Sequence, residues 1–230
     1  MNANNPVLVP VPQNREHQPS GNRLNEMLVI LGLTIVPSLI WPESMALFSL
    51  LPIIYLLVER HLRGRAWAEL GLRRDTFRAA LRENWLLILL VSVVIQAATV
   101  MVALFFWPAL LEHIRLRVPL LDAGHIVPLL LLLPLATLGE ELVYRGLFQQ
   151  RLGRSIGTLP SLLVVSLLFT LLHYSAGDRA VVTMDLMLVF VDSVIYGAIY
   201  ARSQNLWATW LAHWLADLVA LGLMVLLIAA

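Results

Sequence analysis

Thr137-Leu-Gly-Glu-Glu-Leu-Val-Tyr-Arg-Gly146 follows an apolar run that begins at Ile126 and contains two prolines. Two adjacent carboxylates and an arginine therefore stand directly after a segment of membrane character. Ionisable residues are costly in such a segment, and they are kept where they meet partners or carry out chemistry. We therefore expect the rest of the chain to be organised around this stretch.

Helix geometry assigns different surroundings to the two glutamates. Glu141 and Arg145 are i,i+4 neighbours with the acid on the N-terminal side, which is the favourable orientation for an ion pair. Glu140 is rotated from Glu141 by about 100° around the helix. The spacing predicts that Glu141 pairs with Arg145 and that Glu140 is free to act as a base. A helix end at the cytoplasmic surface, where both acids are simply hydrated, is the alternative.

Composition places the chain in the membrane. Of its 230 residues, 59% are hydrophobic and 13% are charged, whereas a soluble domain carries about 25% charged residues. Its mean hydropathy is +0.79, and several apolar stretches reach the length of a membrane span. We therefore predict an all-α, polytopic transmembrane bundle. Cysteine is absent, so any metal would need histidine and carboxylate ligands.

The chain reads as seven apolar spans after a polar tail. Residues 1–26 are predicted to be a disordered cytoplasmic tail, 27–124 to hold the first spans and a basic cytoplasmic loop, and 125–230 to form a C-terminal core of four spans. The loop at 59–84 has the pattern of an amphipathic interfacial helix, and 108–124 is predicted to be a loop. The spans are 27–41, 44–58, 85–107, 125–149, 159–173, 181–201 and 206–228.

Arginine placement predicts the orientation in the membrane. Seven arginines lie between Arg60 and Arg82, whereas the predicted opposite side holds Arg115, Arg117 and Arg179. By the positive-inside rule, this asymmetry places the N-terminus in the cytoplasm and the C-terminus outside. We expect a multi-pass integral protein of the bacterial inner membrane.

Further ionisable residues lie inside the later spans. His173 ends the fifth span, and the seventh carries His213 and Asp217 on one helical face. At about 1.5 Å rise per residue, these side chains and Glu140 fall at similar depths. The depths predict one site inside the membrane, nearer the cytoplasm, where a carboxylate and two imidazoles surround a water molecule suited to general base chemistry.

Each of these residues also has a structural interpretation. A histidine in a span often serves only as an interhelical hydrogen-bonding group. Asp185 and Asp192 of the sixth span are interpreted as structural residues that line a water-filled cavity or pair with Arg179 and Arg202.

Three motifs on three separate spans resemble the signatures of the CPBP family, also called Abi, of CAAX proteases and bacteriocin-processing enzymes. This family includes the type II CAAX prenyl endopeptidases. The resemblance covers residues 126–225, and the family's third motif usually ends in asparagine, where this chain has Asp217. The motifs are Glu140-Glu141-x-x-x-Arg145, Phe169-x-x-x-His173 and His213-x-x-x-Asp217.

The resemblance implies hydrolysis of a peptide bond within the bilayer. Glu140 and His173 would position and deprotonate water, His213 and Asp217 would stabilise the oxyanion, and Glu141 with Arg145 would support the geometry. Implied partners are the lipid bilayer and a membrane-associated peptide or protein, without nucleic acid.

No cofactor follows with certainty from the resemblance. Zinc is compatible, with Glu140, His173 and His213 as ligands and water as the fourth, but the chain has no His-Glu-x-x-His motif. We favour a metal-free site.

Two rival functions remain open from the sequence. One is a non-proteolytic immunity or scaffold protein that keeps the fold. The other is a proton or solute transporter that uses Asp185, Asp192 and Asp217 as a relay. Intact motifs favour the protease over the scaffold, and the chain lacks the repeated broken-helix pattern of many transporters.

Overall fold

The computed structural model describes residues 20–41, 45–117 and 126–228, and within these ranges every regular element is helical. The predicted all-α class is confirmed. A 3₁₀ turn covers Trp67–Leu70, and two π-helical segments, Leu90–Ile95 and Leu142–Gln149, interrupt longer helices. The α-helices are α1 (Ser20–Ile40), α2 (Met45–Phe48), α3 (Leu51–Leu62), α4 (Phe77–Leu89), α5 (Gln96–Phe106), α6 (Pro108–Leu116), α7 (Ile126–Glu141), α8 (Gln150–Ile156), α9 (Thr158–Leu171), α10 (Arg179–Ser203) and α11 (Leu206–Ile228).

Four helical stretches in the described ranges are long and apolar enough to cross a membrane. Two shorter apolar helices cover Leu24–Pro37 and Thr158–Leu171. The second predicted span, 44–58, contains α2 and α3, and α3 has only 12 residues, which gives a length of about 18 Å. The count of seven spans therefore remains a prediction. The four stretches are Phe77–Phe106, Val127–Ile156, Arg179–Ser203 and Leu206–Leu226.

Several boundaries differ from those that hydropathy predicted. The tail was expected to run to residue 26, but α1 already begins at Ser20; residues 1–19 lie outside the described ranges. Glu26 accepts hydrogen bonds from the Tyr55 hydroxyl at 2.7 Å and from Arg63 at 2.8 Å, so tertiary contacts hold this polar segment in the helix. The predicted loop at 108–124 contains α6, and residues 118–124 are outside the described part.

The predicted interfacial helix within 59–84 does not form as one element. Its tryptophan lies in the short turn Trp67–Leu70, whereas Phe77 starts α4 and continues into the third span. Leu70 is fully buried, because the turn packs inwards. The helix from Phe77 to Phe106 has 30 residues and reaches about 45 Å, which exceeds a hydrocarbon core of about 30 Å.

Alternating helix directions give the bundle two chemically different ends. At the arginine-rich end, α3, α8 and α10 finish and α4, α9 and α11 begin. Contacts such as Leu206 N to Gly71 O at 2.7 Å and Gln150 Nε2 to Glu69 O at 3.1 Å hold this end together. Its described arginines are Arg60, Arg63, Arg65, Arg73, Arg74, Arg78, Arg82, Arg151, Arg154 and Arg202, whereas the arginine-poor end carries Arg115, Arg117 and Arg179.

A buried carboxylate organises the arginine-rich end. Glu59 is 5% exposed and forms ion pairs with Arg63 at 2.7 Å, Arg65 at 3.1 Å and Arg151 at 2.8 Å. A buried charge is tolerated only when such partners compensate it. The cluster ties α3 to α8 and so connects the first half of the chain to the helix that follows the glutamate motif.

Gly71 supplies a tight contact at the same end. Its φ is +91°, and a Cβ at this position would lie 3.0 Å from Leu206 Cγ and 3.1 Å from Tyr200 Cε2.

We expect Gly71→Ala to lower the free energy of unfolding by about 1–3 kcal/mol, since a left-handed backbone conformation and overpacking act together. Thermal unfolding in detergent checks this. Gly64→Ala is the matched control, because Gly64 has φ +61° and open space around its Cβ position; equal losses in the two variants would contradict the packing argument.

Candidate active site

An ion pair between Glu141 and Arg145 lies in the centre of the bundle. Arg145 Nη1 is 3.0 Å from Glu141 Oε1, and both side chains are almost completely buried. Arg145 Nη2 also donates to the backbone oxygen of Ser193 at 2.9 Å and to its hydroxyl at 2.8 Å. The i,i+4 pairing expected from the motif is therefore present, although the backbone there passes from α-helix into a π-helical segment.

Glu141 also sets the orientation of His213. The Nδ1 atom of His213 lies 2.8 Å from Glu141 Oε1, so this nitrogen carries the proton and donates to the carboxylate. The imidazole stacks on Tyr196 with ring centroids 4.5 Å apart. Its Nε2 atom faces Glu140 Oε2 at 3.7 Å and Asp217 Oδ2 at 3.8 Å. A buried carboxylate thus holds one ring nitrogen while the other points at two further acids.

The neighbouring glutamates differ in exposure as helix rotation predicts. The Glu140 side chain is 36% exposed, whereas that of Glu141 is 0% exposed. Glu140 lines a cavity together with Asp217 and His213. Glu140 is therefore the member of the pair that faces the cavity inside the bundle. The alternative, in which both acids are hydrated at a helix end, is wrong for Glu141 because its side chain is buried.

His173 approaches from the turn that follows α9. Its Nδ1 atom lies 2.7 Å from the backbone oxygen of Phe169, so Nδ1 donates and Nε2 is left as an acceptor. The imidazole packs on the Phe169 ring with centroids 4.2 Å apart. The four-residue spacing of Phe169 and His173 thus produces both the hydrogen bond and the ring contact.

One cavity of about 510 Å³ brings the predicted site residues together. A water molecule needs about 30 Å³ of liquid volume, so this space holds several waters or a segment of peptide. Its lining is mostly apolar and aromatic, with a few polar groups, as is usual for a ligand site. The acidic, basic and amide side chains that line it are Gln96, Arg117, Glu140, His173, Asp185, Asp192, His213 and Asp217.

The two aspartates of α10 have partners other than those expected. Asp185 accepts from Arg117 at 2.7 Å and faces His113 at 3.5 Å, rather than pairing with Arg179. Asp192 accepts from Gln96 at 2.9 Å, and Arg202 instead donates to the backbone oxygen of Glu83 at 3.4 Å. Both aspartates line the cavity, which agrees with the other part of the sequence interpretation.

The cavity extends in a direction that the depth estimate did not anticipate. The site was expected nearer the cytoplasm, which the arginine pattern assigned to the arginine-rich end. Glu140 and His213 do lie deep, but the lining continues to Arg117 and Tyr174 at the arginine-poor end. Rise per residue gives the depth of a side chain along its own helix. The direction in which the cavity extends depends instead on how the helices pack together.

The described residues do not form a three-ligand metal set. No group of three histidine, aspartate or glutamate side chains in the described ranges has the arrangement of a metal site. In His213, Nδ1 is held by Glu141, which leaves only Nε2 for another partner. The predicted zinc ligands Glu140, His173 and His213 share the cavity, but their present arrangement does not fit a zinc site.

Some site residues escaped sequence reasoning. Ser193 binds Arg145, Tyr196 stacks on His213, and Gln96 binds Asp192. Ser92 lies in the first π segment and donates to the Ala212 backbone oxygen at 2.8 Å, which fixes the helix just before His213. Ser92 and Gln96 were detectable as polar residues inside an apolar span, but their partners depend on helix packing.

Comparison with known proteins identifies one family. Residues 122–219, somewhat less than half of the chain, match the family model described as type II CAAX prenyl endopeptidase Rce1-like. The match is consistent with the CPBP family, so the resemblance drawn from the three motifs is confirmed. No curated protein and no solved structure matches the chain. The family implies a protease, and the four candidate spans support an integral membrane protein.

Proposed function

We propose that this protein is an intramembrane endopeptidase that hydrolyses a peptide bond close to the substrate's membrane anchor. The observation that carries the proposal is that one cavity is lined by Glu140 of α7, His173 of the turn after α9, and His213 and Asp217 of α11. Residues 125–230 supply these groups as a catalytic core, while the preceding part of the chain contributes Gln96 and Arg117 to the cavity lining.

In the proposed reaction, Glu140 is the general base. It removes a proton from a water molecule, whose oxygen attacks the carbonyl carbon of the scissile bond. His173 holds this water through Nε2, because its Nδ1 is committed to the Phe169 carbonyl at 2.7 Å. The proton taken by Glu140 then passes to the leaving amine as the carbon–nitrogen bond breaks. General base catalysis of this kind contributes about 10²–10⁴-fold to the rate.

His213 and Asp217 are the proposed oxyanion donors. A protonated His213 donates from Nδ1 to Glu141 and presents Nε2–H to the cavity, where carboxyl oxygens lie at 3.7 and 3.8 Å. Asp217 donates a hydrogen bond only in its protonated form. Glu141 and Arg145 do not touch the substrate in this scheme, and they position His213.

The direct test is a cleavage assay with the protein reconstituted in lipid vesicles. The probes are an internally quenched peptide with a farnesylated CAAX terminus and the same peptide carrying a palmitoyl anchor. We expect His173→Ala to lower the rate of cleavage by about 10²-fold or more, whereas His61→Ala, an exposed histidine at the arginine-rich end, keeps the wild-type rate. Cleavage of neither probe by the wild type, or an unchanged rate in His173→Ala, would contradict the proposal.

A chelator separates two versions of the mechanism. We expect cleavage to persist in a chelator, because the described side chains do not form a three-ligand set. Loss of cleavage on chelation, with recovery on adding zinc, would instead support Glu140, His173 and His213 as ligands of an ion that the reaction needs.

Asp217 gives a further prediction about the oxyanion donors. The related motif usually ends in asparagine, whose amide donates a hydrogen bond in every protonation state. We expect Asp217→Asn to keep near wild-type activity, and Asp217→Ala to lower kcat by about 10²–10³-fold. Initial rates over a range of peptide concentrations check this. An inactive Asp217→Asn variant with wild-type thermal stability would mean that Asp217 acts as a carboxylate.

A further inference from the structure

The two ends of the bundle differ in charge, and this difference is a topological signal. Ten described arginines lie at the arginine-rich end and three at the arginine-poor end. Arginines in short connections near helix ends are enriched on the cytoplasmic side of membrane proteins. At the arginine-rich end, the Arg60 guanidinium lies 3.8 Å from the centroid of the Trp67 ring. Tryptophan beside a cation is typical of the membrane interface.

The wall between the cavity and the arginine-rich end is closed. Glu141, Arg145 and Gln149 fill the bundle directly beyond Glu140, and none is more than 4% exposed. Gln149 Nε2 donates to the Gly197 backbone oxygen at 2.9 Å, and Tyr200, about one turn further along α10, is 1% exposed. A peptide has no open path to Glu140 through this packed layer.

On the opposite side the lining continues to the arginine-poor end. It includes Leu129 near the start of α7, Ala220 and Met224 in the second half of α11, and Ser175 in the connection between α9 and α10. Tyr174, beside Ser175, is 63% exposed. Within the described residues, the cavity lining therefore extends to the arginine-poor end.

The rim at that end is polar and charged. Arg117 keeps 24% of its side chain exposed while it binds the buried Asp185 at 2.7 Å. His113, on the same helix, lies 3.1 Å from the Ser175 hydroxyl. Such a rim stays hydrated, which suits the passage of a peptide backbone whose amide groups need hydrogen-bond partners outside the apolar core.

We propose that the substrate reaches Glu140 from the arginine-poor face, on the side of the membrane away from the cytoplasm. The substrate class is then an exported peptide or protein segment whose anchor lies in the outer leaflet. This inference rests on the proposed function for the identity of the ligand, but the direction of access stands on charge and cavity shape.

The absence of native cysteine makes the direction of access directly measurable. Single cysteines are introduced as Ala176→Cys at the exposed connection beside Ser175, Ala220→Cys in the cavity lining and Ser155→Cys on the exposed surface of α8. Spheroplasts of a bacterial host that express each variant are treated with a small, charged, membrane-impermeant thiol reagent, before and after permeabilisation. Thermal unfolding of each purified variant verifies the fold.

We expect Ala176→Cys and Ala220→Cys to react in intact spheroplasts, and Ser155→Cys to react only after permeabilisation. Three outcomes would overturn the inference. The first is the reverse pattern, and the second is reaction of all three variants in intact spheroplasts. The third is an Ala220→Cys variant that reacts only after permeabilisation or not at all. Labelling does not depend on cleavage. A reversed pattern with an active enzyme therefore contradicts only the side of access, and the expected pattern without cleavage of any probe contradicts only the proposed function.

Discussion

Replacing Glu140 with glutamine is expected to lower kcat for peptide cleavage by about 10²–10⁴-fold, the usual contribution of a general base. Glutamine keeps the size of the side chain and removes its ability to accept a proton. Among the described residues, the ionic partner of this carboxylate is His213 Nε2 at 3.7 Å, which is beyond hydrogen-bond distance. The amide therefore fits the same space, and we expect the fold to be retained.

The measurement is the initial rate of cleavage of the lipid-anchored peptide in vesicles, with thermal unfolding recorded on the same preparation. Glu83→Gln is the matched control, because Glu83 is an exposed glutamate at the arginine-rich end. The substitution makes the same chemical change away from the cavity. A Glu140→Gln enzyme that cleaves at the rate of the Glu83→Gln enzyme would remove Glu140 as the base. A loss confined to KM would assign it to peptide binding instead.

The same variant also tests the rival functions. A scaffold or immunity protein that keeps only the fold would lack cleavage in the wild type as well. A transporter relay through the aspartates has to accommodate two that are already engaged, Asp185 with Arg117 and Asp192 with Gln96. Cleavage that depends on Glu140 is the result that only the protease predicts.

Arg145→Met is expected to cause the largest loss of stability, about 3–5 kcal/mol, which is the usual result of removing one partner from a buried ion pair. Methionine fills much of the space, but Glu141 then remains as a buried charge without its cation. The change also frees the Ser193 oxygens that Arg145 binds at 2.8 and 2.9 Å. We expect His213 to lose its orientation with Glu141 and cleavage to disappear with the fold.

Unfolding monitored in detergent checks this, with Arg78→Met as the matched control. Arg78 is exposed on α4, and substitutions at such surface positions usually change stability by less than about 0.5 kcal/mol. A second variant, Glu141→Gln with Arg145→Met, removes both charges and should recover part of the loss. If Arg145→Met is as stable as Arg78→Met, the pair does not hold the motif together.

Local spacing explains why part of the site was accessible from the chain alone. Glu141 with Arg145 and Phe169 with His173 are four residues apart, and in each pair the observed contact joins atoms of neighbouring helical turns. Rotation between adjacent residues separated the buried Glu141 from the cavity-facing Glu140. Such contacts follow from the geometry of one helix, and the apolar composition already predicted that these segments are helical.

Helix boundaries were harder to predict from the sequence, because hydropathy indicates the membrane-embedded part of a helix and not where the helix begins and ends. The third span was expected to start at Trp85, yet the helix begins at Phe77 and runs through a π segment to Phe106. The fourth was expected to end at Gln149, yet the helix continues to Ile156. In both cases the polar end of the helix packs against protein at the arginine-rich end.

The chain alone establishes an apolar helical bundle, a motif of paired acid and arginine, and the asymmetry of arginine between its ends. These properties come from composition and from spacing within a few residues, where the geometry of one helix suffices. The partners of Asp185 and Asp192, the support of Arg145 by Ser193 and the opening of the cavity towards Arg117 come only from the tertiary structure. Each of these joins residues that are tens of positions apart, and such contacts depend on how helices pack together.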